Sequence, residues 1–275
     1  MPFLKGISNF KLTTFVLILS LIILVTHHSQ LITISAQSPL ETAKKDFVQK
    51  TSDYSTSKSA YIGAKATYTK FQTATAKADA FSKTKSYMIT ADNLLLSYLA
   101  LVSHYASDPK LQGTSFDKTF SDQLVSEQTN FIQNHLSSVE NSKTLEELPP
   151  LATNLKTQLS KSTQPKISKL VVSMDISRTE AVFSDYKNLA GKLDEFTKSR
   201  ITPQNQTLVA NWQSEIGDIR EKTQTNLSQT SSSYQLISDN YLNPSRIKQT
   251  QTILGKAKTE LKRSSQLFEE MTKII

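Results

Sequence analysis

The chain contains no cysteine, and among its 275 residues there are only 6 glycines and 8 prolines. Without cysteine there is no disulfide, no thiolate zinc site, no cysteine nucleophile and no thiol to carry a lipid. With so few glycines the tight turns that a many-stranded sheet needs are scarce, which argues against a sandwich or barrel. Phosphate-cradling loops are missing too: neither G-x-x-x-x-G-K nor G-x-G-x-x-G occurs, and there is no HExxH zinc motif or G-x-S-x-G elbow. The hydrophobic share of 37% is low for a compact globule. It suits helices that bury one narrow stripe and leave their other faces in water.

Charge is just as uneven at the start of the chain. Residues 1–36 carry Lys5 and Lys11 and no acid, so removing them takes the net charge from +8 to +6. The 14-residue apolar run Leu12–Val25 follows the two lysines. That is short for a membrane span but suits the core of a signal peptide, and Ile34-Ser35-Ala36 supplies a small-residue cleavage site. The expectation is a signal peptide over 1–36, with an uncleaved N-terminal anchor as the alternative. In either case the body, 37–275, is exported and lies outside the cytoplasm, secreted or membrane-anchored by the N-terminal segment. Lys11 stands where a pilin-type leader needs Glu, which removes that alternative.

The body reads as helix throughout. Apolar residues recur at three-four spacing from Pro39 to Ser107, through Leu40, Phe47, Tyr54, Tyr61, Tyr68, Phe71, Phe81, Met88, Leu95, Tyr98 and Val102, with no proline inside. The spacing predicts one very long N-terminal helix, about 100 Å at the standard rise, with a three-residue stammer at Ala78–Phe81. A break at Lys83–Ser86 is the main alternative. Four pairs, Ser38-Pro39, Asp108-Pro109, Thr202-Pro203 and Asn243-Pro244, each put a capping side chain before a proline whose missing N–H costs nothing at a helix start. Pro149-Pro150 marks a further boundary, and Pro165 a break or kink. Helices are thus expected near 39–107, 115–147, 151–200 (with a possible break at 165), 203–242 and 244–275. The fold class is all-α, an elongated antiparallel, coiled-coil-like bundle of about five to six helices. No shorter helix covers the first one alone, so stacked neighbours or a second chain must complete it. Gly191, Gly217 and Gly255 interrupt helix interiors and are expected at close crossings or bends.

Candidate sites are few. The aromatic seam Phe47, Tyr54, Tyr61, Tyr68 and Phe71 is packing by its period, although a stacking platform for sugars or bases has the same pattern. The richest apolar stretch of the body holds Leu94, Leu95, Leu96, Tyr98, Leu99, Leu101 and Val102. It reads as a helix buried on several sides, with a membrane-seeking or interface segment as the sharper alternative. His104 and His135 stand without a second ligand at metal spacing and read as surface or boundary residues. Glu146-Glu147 and Glu269-Glu270 are adjacent and point to different sides of a helix, so neither pair makes a two-carboxylate site.

No catalytic, cofactor or metal site is therefore expected, and no enzyme. The expected function is a non-enzymatic, exported helical bundle acting in interaction or structure at the cell envelope or surface. Its partner would be another protein or a second copy, with a membrane surface as a further partner. The scattered lysines and export leave no role for nucleic acid. A pore-forming membrane protein inserting residues 94–102, and an extracytoplasmic ligand-binding or sensing bundle, are the alternatives.

Overall fold

A computed structural model of the protein describes residues 38–198 and 202–274. The expected leader or anchor over 1–36 lies outside these residues. Among the described residues the fold is all-α, with six helices packed as antiparallel pairs. None of these helices is long and apolar enough to cross a membrane.

The helix expected to run unbroken from Pro39 to Ser107 is instead two helices, α1 (Pro39–Phe71) and α2 (Ala74–Ala106). The chain reverses at Gln72, whose φ of 52° is left-handed and whose N–H donates to the Tyr68 carbonyl. Thr73 then caps α2, its Oγ1 accepting from the Ala76 N–H at 3.2 Å. Lys83–Ser86 lies inside α2. A left-handed non-glycine residue costs about 1–2 kcal/mol, and folding the stripe onto itself buries aromatic rings along both arms. That burial far outweighs one strained residue. The seam therefore covers itself, and the need for stacked neighbours or a second chain to complete a 100 Å helix disappears.

The longest joined helix, 54 residues, is central rather than N-terminal. This helix, α4, joins a 3-10 turn at Leu145–Glu147, the helix Leu148–Gln158, a π segment Leu159–Thr163 and the helix Gln164–Lys198. Pro149 and Pro150 sit in the first turn of its Leu148–Gln158 segment, where a missing N–H is harmless. Pro165 neither ends nor breaks it. The wider π turn just before the proline, with the Gln164 N–H donating back to Leu159, absorbs the lost bond.

Between α2 and α4 lie a 3-10 turn, Pro109–Leu111, and α3 (Lys118–Asn141). After α4 come α5 (Gln206–Gln235) and α6 (Pro244–Ile274). Three of the four cap–proline pairs start a helical turn as expected: Ser38 Oγ accepts from Glu41, Asp108 Oδ1 from Lys110, and Asn243 Oδ1 from Arg246. Thr202-Pro203 lies ahead of the helix start, which falls at Gln206 after a turn closed by the Thr202 carbonyl.

The chain divides into two compact units. Unit 1, among the described residues, comprises 38–107 and 118–166. Its central helix is α2, which packs on α1, on α3 and on the start of α4. Leu94, Leu101, Val102, Ile132, Leu148 and Leu155 are among its fully buried side chains. Unit 2, among the described residues, comprises 108–117, 167–198 and 202–274. Its core gathers Phe183 and Tyr186 of α4, Trp212 and Ile219 of α5, and Leu254 and Phe268 of α6. The Tyr186 ring lies 5.5 Å from Phe268 and its hydroxyl donates to the Ile216 carbonyl at 2.7 Å. The 108–117 segment is tied to α4 through Ser115, whose N–H and hydroxyl both donate to Glu180. A Cβ placed on Gly191, Gly217 or Gly255 meets nothing within 4 Å, so these glycines mark open helix surface rather than close crossings.

Candidate functional site

The aromatic seam and the apolar stretch, read separately from the sequence, come together on the two arms of the α1–α2 hairpin. Phe47, Tyr54 and Tyr61 are buried, while Tyr68 is half-buried and Phe71 is 58% exposed. Phe47 lies 6.2 Å from Tyr98. Tyr87 is the hinge of the cluster: Tyr61 stacks on it at 5.0 Å and 8°, and Tyr54 meets it at 5.3 Å with the two hydroxyls 2.9 Å apart. Ser57 and Thr90 form a further hydroxyl bond between the arms. Burial pushes the Tyr61 phenol up to about 12 and raises those of Tyr87 and Tyr98 further. These phenols stay neutral at physiological pH. Their ring faces are spent on one another and on the ammonium groups of Lys58 and Lys65, about 6 Å away over Tyr54 and Tyr61.

Leu94, Leu95, Tyr98, Leu99, Leu101 and Val102 are all buried, and Leu96 is half-buried. They pack inside unit 1, so any use of this stretch in a bilayer requires α2 to leave α1, α3 and the start of α4 first.

His135 is not a boundary residue. It is buried, and its Nδ1 lies 2.8 and 2.9 Å from the two carboxylate oxygens of Asp92, a residue with no exposed surface. The other ring nitrogen, Nε2, faces the Leu151 carbonyl at 3.2 Å. One imidazole thus joins α2, α3 and α4. Burial, the largest influence, raises the Asp92 carboxyl above the usual carboxylate range, with Glu140 adding to the rise; His135 opposes it. With acceptors on both sides, the ring is fully bonded only when the pair holds a proton beyond the one on Nε2. The proton sits either on Nδ1, as imidazolium against carboxylate, or on Asp92. Because Nε2 is taken by a backbone carbonyl and the pair is closed to water, the arrangement has no free base or nucleophile to offer. It works as an internal cross-link. Gln128 and Thr163, buried between α3 and the π segment of α4, form a second one. His104 is exposed.

The missed signal on α3 has a clear origin. Its buried face is Ser121, Leu124, Gln128, Ile132, His135 and Val139, half of it polar. The apolar period through Phe116, Phe120, Leu124, Phe131, Leu136 and Val139 finds Leu124 and Val139 of this face, but it passes over the polar positions and takes in Phe120, which is 44% exposed.

The exposed part of the hairpin is its tip. Every residue from 69 to 75 is exposed. Lys70 lies 5.0 Å from the centre of the Phe71 ring. Below the turn, Lys77 pairs with Glu146 at 2.6 Å, and the pair holds the Glu146 carboxyl below its ordinary range; both groups are in solvent. In unit 2 the densest charge cluster is Arg263 with Glu215, Asp218 and Glu260, also at the surface. Among the described residues no group of three or more His, Asp and Glu is placed to hold a metal ion. No protein-family model matches the chain, and neither a curated protein nor a solved structure does.

Proposed function

We propose that this is an exported, non-enzymatic helical-bundle protein that acts in interaction or structure at the cell envelope or surface. The observation that carries the reading is how the buried polar groups are used. Asp92, His135, Gln128, Thr163, Tyr54 and Tyr87, the residue types a catalytic centre would draw on, are each paired inside unit 1 as links between helices. Export is supported by the basic start and the Leu12–Val25 run of the sequence.

Affinity capture with the full chain from envelope extract tests the reading. One stoichiometric macromolecular partner, competed by excess untagged protein, is the expected result. Tight one-to-one binding of a small molecule with no macromolecular partner would overturn it in favour of a ligand-binding or sensing bundle.

A further inference from the structure

The α1–α2 tip combines three features. From residue 54 to residue 78 the sequence carries Lys58, Lys65, Lys70 and Lys77 and no acid. The turn exposes an aromatic ring, Phe71, with the Lys70 ammonium beside it. The remaining exposed residues there, Thr69, Gln72, Thr73, Ala74 and Thr75, are neutral. The nearest acids are Asp79 and Glu146, and the latter is already paired with Lys77. Residues 38–107 as a whole hold 9 lysines and 5 acids, so most of the body's positive excess lies on this hairpin.

We infer that the tip docks on an anionic lipid surface, with Lys65 and Lys70 at headgroup phosphates and Phe71 at the level where headgroups meet acyl chains. The inference rests on the interaction-protein reading and names the chemistry of one partner. Charge complementarity selects the class: single-sign lysines attract an anionic leaflet, and an aromatic side chain settles at its interface. Size argues against a protein partner at this spot. A stable protein interface covers about 800 Å² per partner, more than the end of two helices offers, whereas a lipid surface needs only a few cations and one ring.

The test is co-sedimentation of the full chain with phosphatidylcholine vesicles, with and without phosphatidylglycerol, over a salt series. Residues 1–36 are common to every variant, so differences between variants isolate the tip. Wild type should bind the anionic vesicles more strongly than the neutral ones, whose binding measures the background from the apolar run of residues 1–36, and the excess should weaken with salt. Lys65→Gln and Lys70→Gln should each weaken partitioning about fivefold, and Phe71→Ser roughly tenfold. A Phe71→Trp variant should gain an emission that shifts to the blue on adding anionic vesicles. Melting curves of the Lys70 and Phe71 variants should match wild type, because those side chains are exposed. Lys65→Gln gives up the ammonium's place over the Tyr61 ring, so its partitioning is compared at a temperature where its melting curve shows it folded. Wild-type binding that is absent, equal on neutral vesicles, or unchanged by the tip substitutions overturns the lipid assignment. Tip-dependent self-association without lipid binding does the same and makes a second copy the occupant. None of these results touches the envelope-capture experiment, so the two readings fail separately.

Discussion

In unit 1 a carboxylate and an imidazole lie inside the core and bond across helices, as do Gln128 with Thr163 and Tyr54 with Tyr87. In unit 2 the buried polar residues are serines and threonines, most of them bonded within their own helix. Thr179, Thr197, Thr230, Thr250 and Ser264 each donate to a carbonyl three or four residues back. The ion pairs of unit 2 stay at the surface. A hydroxyl satisfied by its own helix places no demand on a neighbour, so the helices of unit 2 align mainly by apolar shape, with the Ser233–Thr250 hydroxyl pair between α5 and α6 and the Tyr186–Ile216 bond between α4 and α5 as its buried polar links. A buried side chain that needs a partner on another helix costs several kcal/mol when misaligned, so unit 1 has its register specified by polar pairs. The two cores reach a similar all-helical packing by different means.

The largest expected effect falls on unit 1's cross-link. His135→Ala leaves the Asp92 carboxylate buried without its partner and should cost about 3–5 kcal/mol, read by urea denaturation followed through tyrosine near-UV dichroism. Asp92→Asn should cost much less, because the amide donates to Nδ1 while a neutral ring keeps its Nε2–H for Leu151. Equal losses for the two variants would mean that packing volume, not hydrogen bonding, is what the pair supplies. The pH dependence has a definite sign. Burial, with Glu140, raises the Asp92 carboxyl despite His135. Its contribution is therefore complete below the unfolded value of about 3.9 and is lost as pH rises through the folded one. Wild type should gain on Asp92→Asn in urea midpoint as pH falls from neutrality toward 4. A difference that stays constant with pH would show that His135 cancels the burial.

Unit 2 should answer to volume instead. Leu254, 1% exposed, reduced to alanine should cost about 2–5 kcal/mol. The chain's single tryptophan, Trp212, sits in this core and reports the loss by fluorescence. Arg263→Ala, which removes three surface ion pairs, should leave the same midpoint in place. If Arg263→Ala cost as much as Leu254→Ala, unit 2 would also rest on charge.

The same contrast explains what could be read in advance. The helical period and the apolar core of unit 2 around Trp212, Ile216 and Ile219 follow from apolar spacing, and the caps at Ser38 and Asn243 from a capping side chain placed before proline. The break at Gln72–Thr73 did not, since the seam continues through it in period and the left-handed residue is a glutamine where glycine or asparagine would be the usual signal. The polar half of the α3 face, Ser121, Gln128 and His135, also escaped, because a polar side chain in the core looks in sequence like one in solvent. On α4 the apolar spacing Leu155, Leu159, Ile167, Leu170 and Met174 falls on buried positions, but its continuation through Leu189 and Phe196 does not: these are 46% and 42% exposed, while Phe183, Tyr186 and Ala190 are buried. At the candidate site the seam and the apolar stretch were found, but not that they face each other, since that depends on the hidden turn.

A smaller pair of substitutions compares the cores directly. The buried Tyr61 hydroxyl and Thr223 Oγ1 have no hydrogen-bond partner. Tyr61→Phe in unit 1 and Thr223→Val in unit 2 remove an unsatisfied group at constant shape and should each stabilise by about 1 kcal/mol. Tyr54→Phe, which breaks the bond to Tyr87, should destabilise by a similar amount. Thermal melts separate the three, and a loss on Tyr61→Phe would mean that its hydroxyl is bonded in solution.

The smallest effect concerns the open glycines of unit 2. Gly191, Gly217 and Gly255 lie within helices and have free space where a Cβ would sit. Alanine reduces the conformational freedom of the unfolded chain without touching the core, so each substitution should add about 0.5–1 kcal/mol. Gly217 is the sharpest case, because Tyr186 donates to the carbonyl of the preceding residue, Ile216. If that contact needs the local backbone freedom of glycine, Gly217→Ala will lose stability while Gly191→Ala and Gly255→Ala gain it. If all three raise the melting temperature, the Tyr186 contact does not depend on the backbone freedom of glycine.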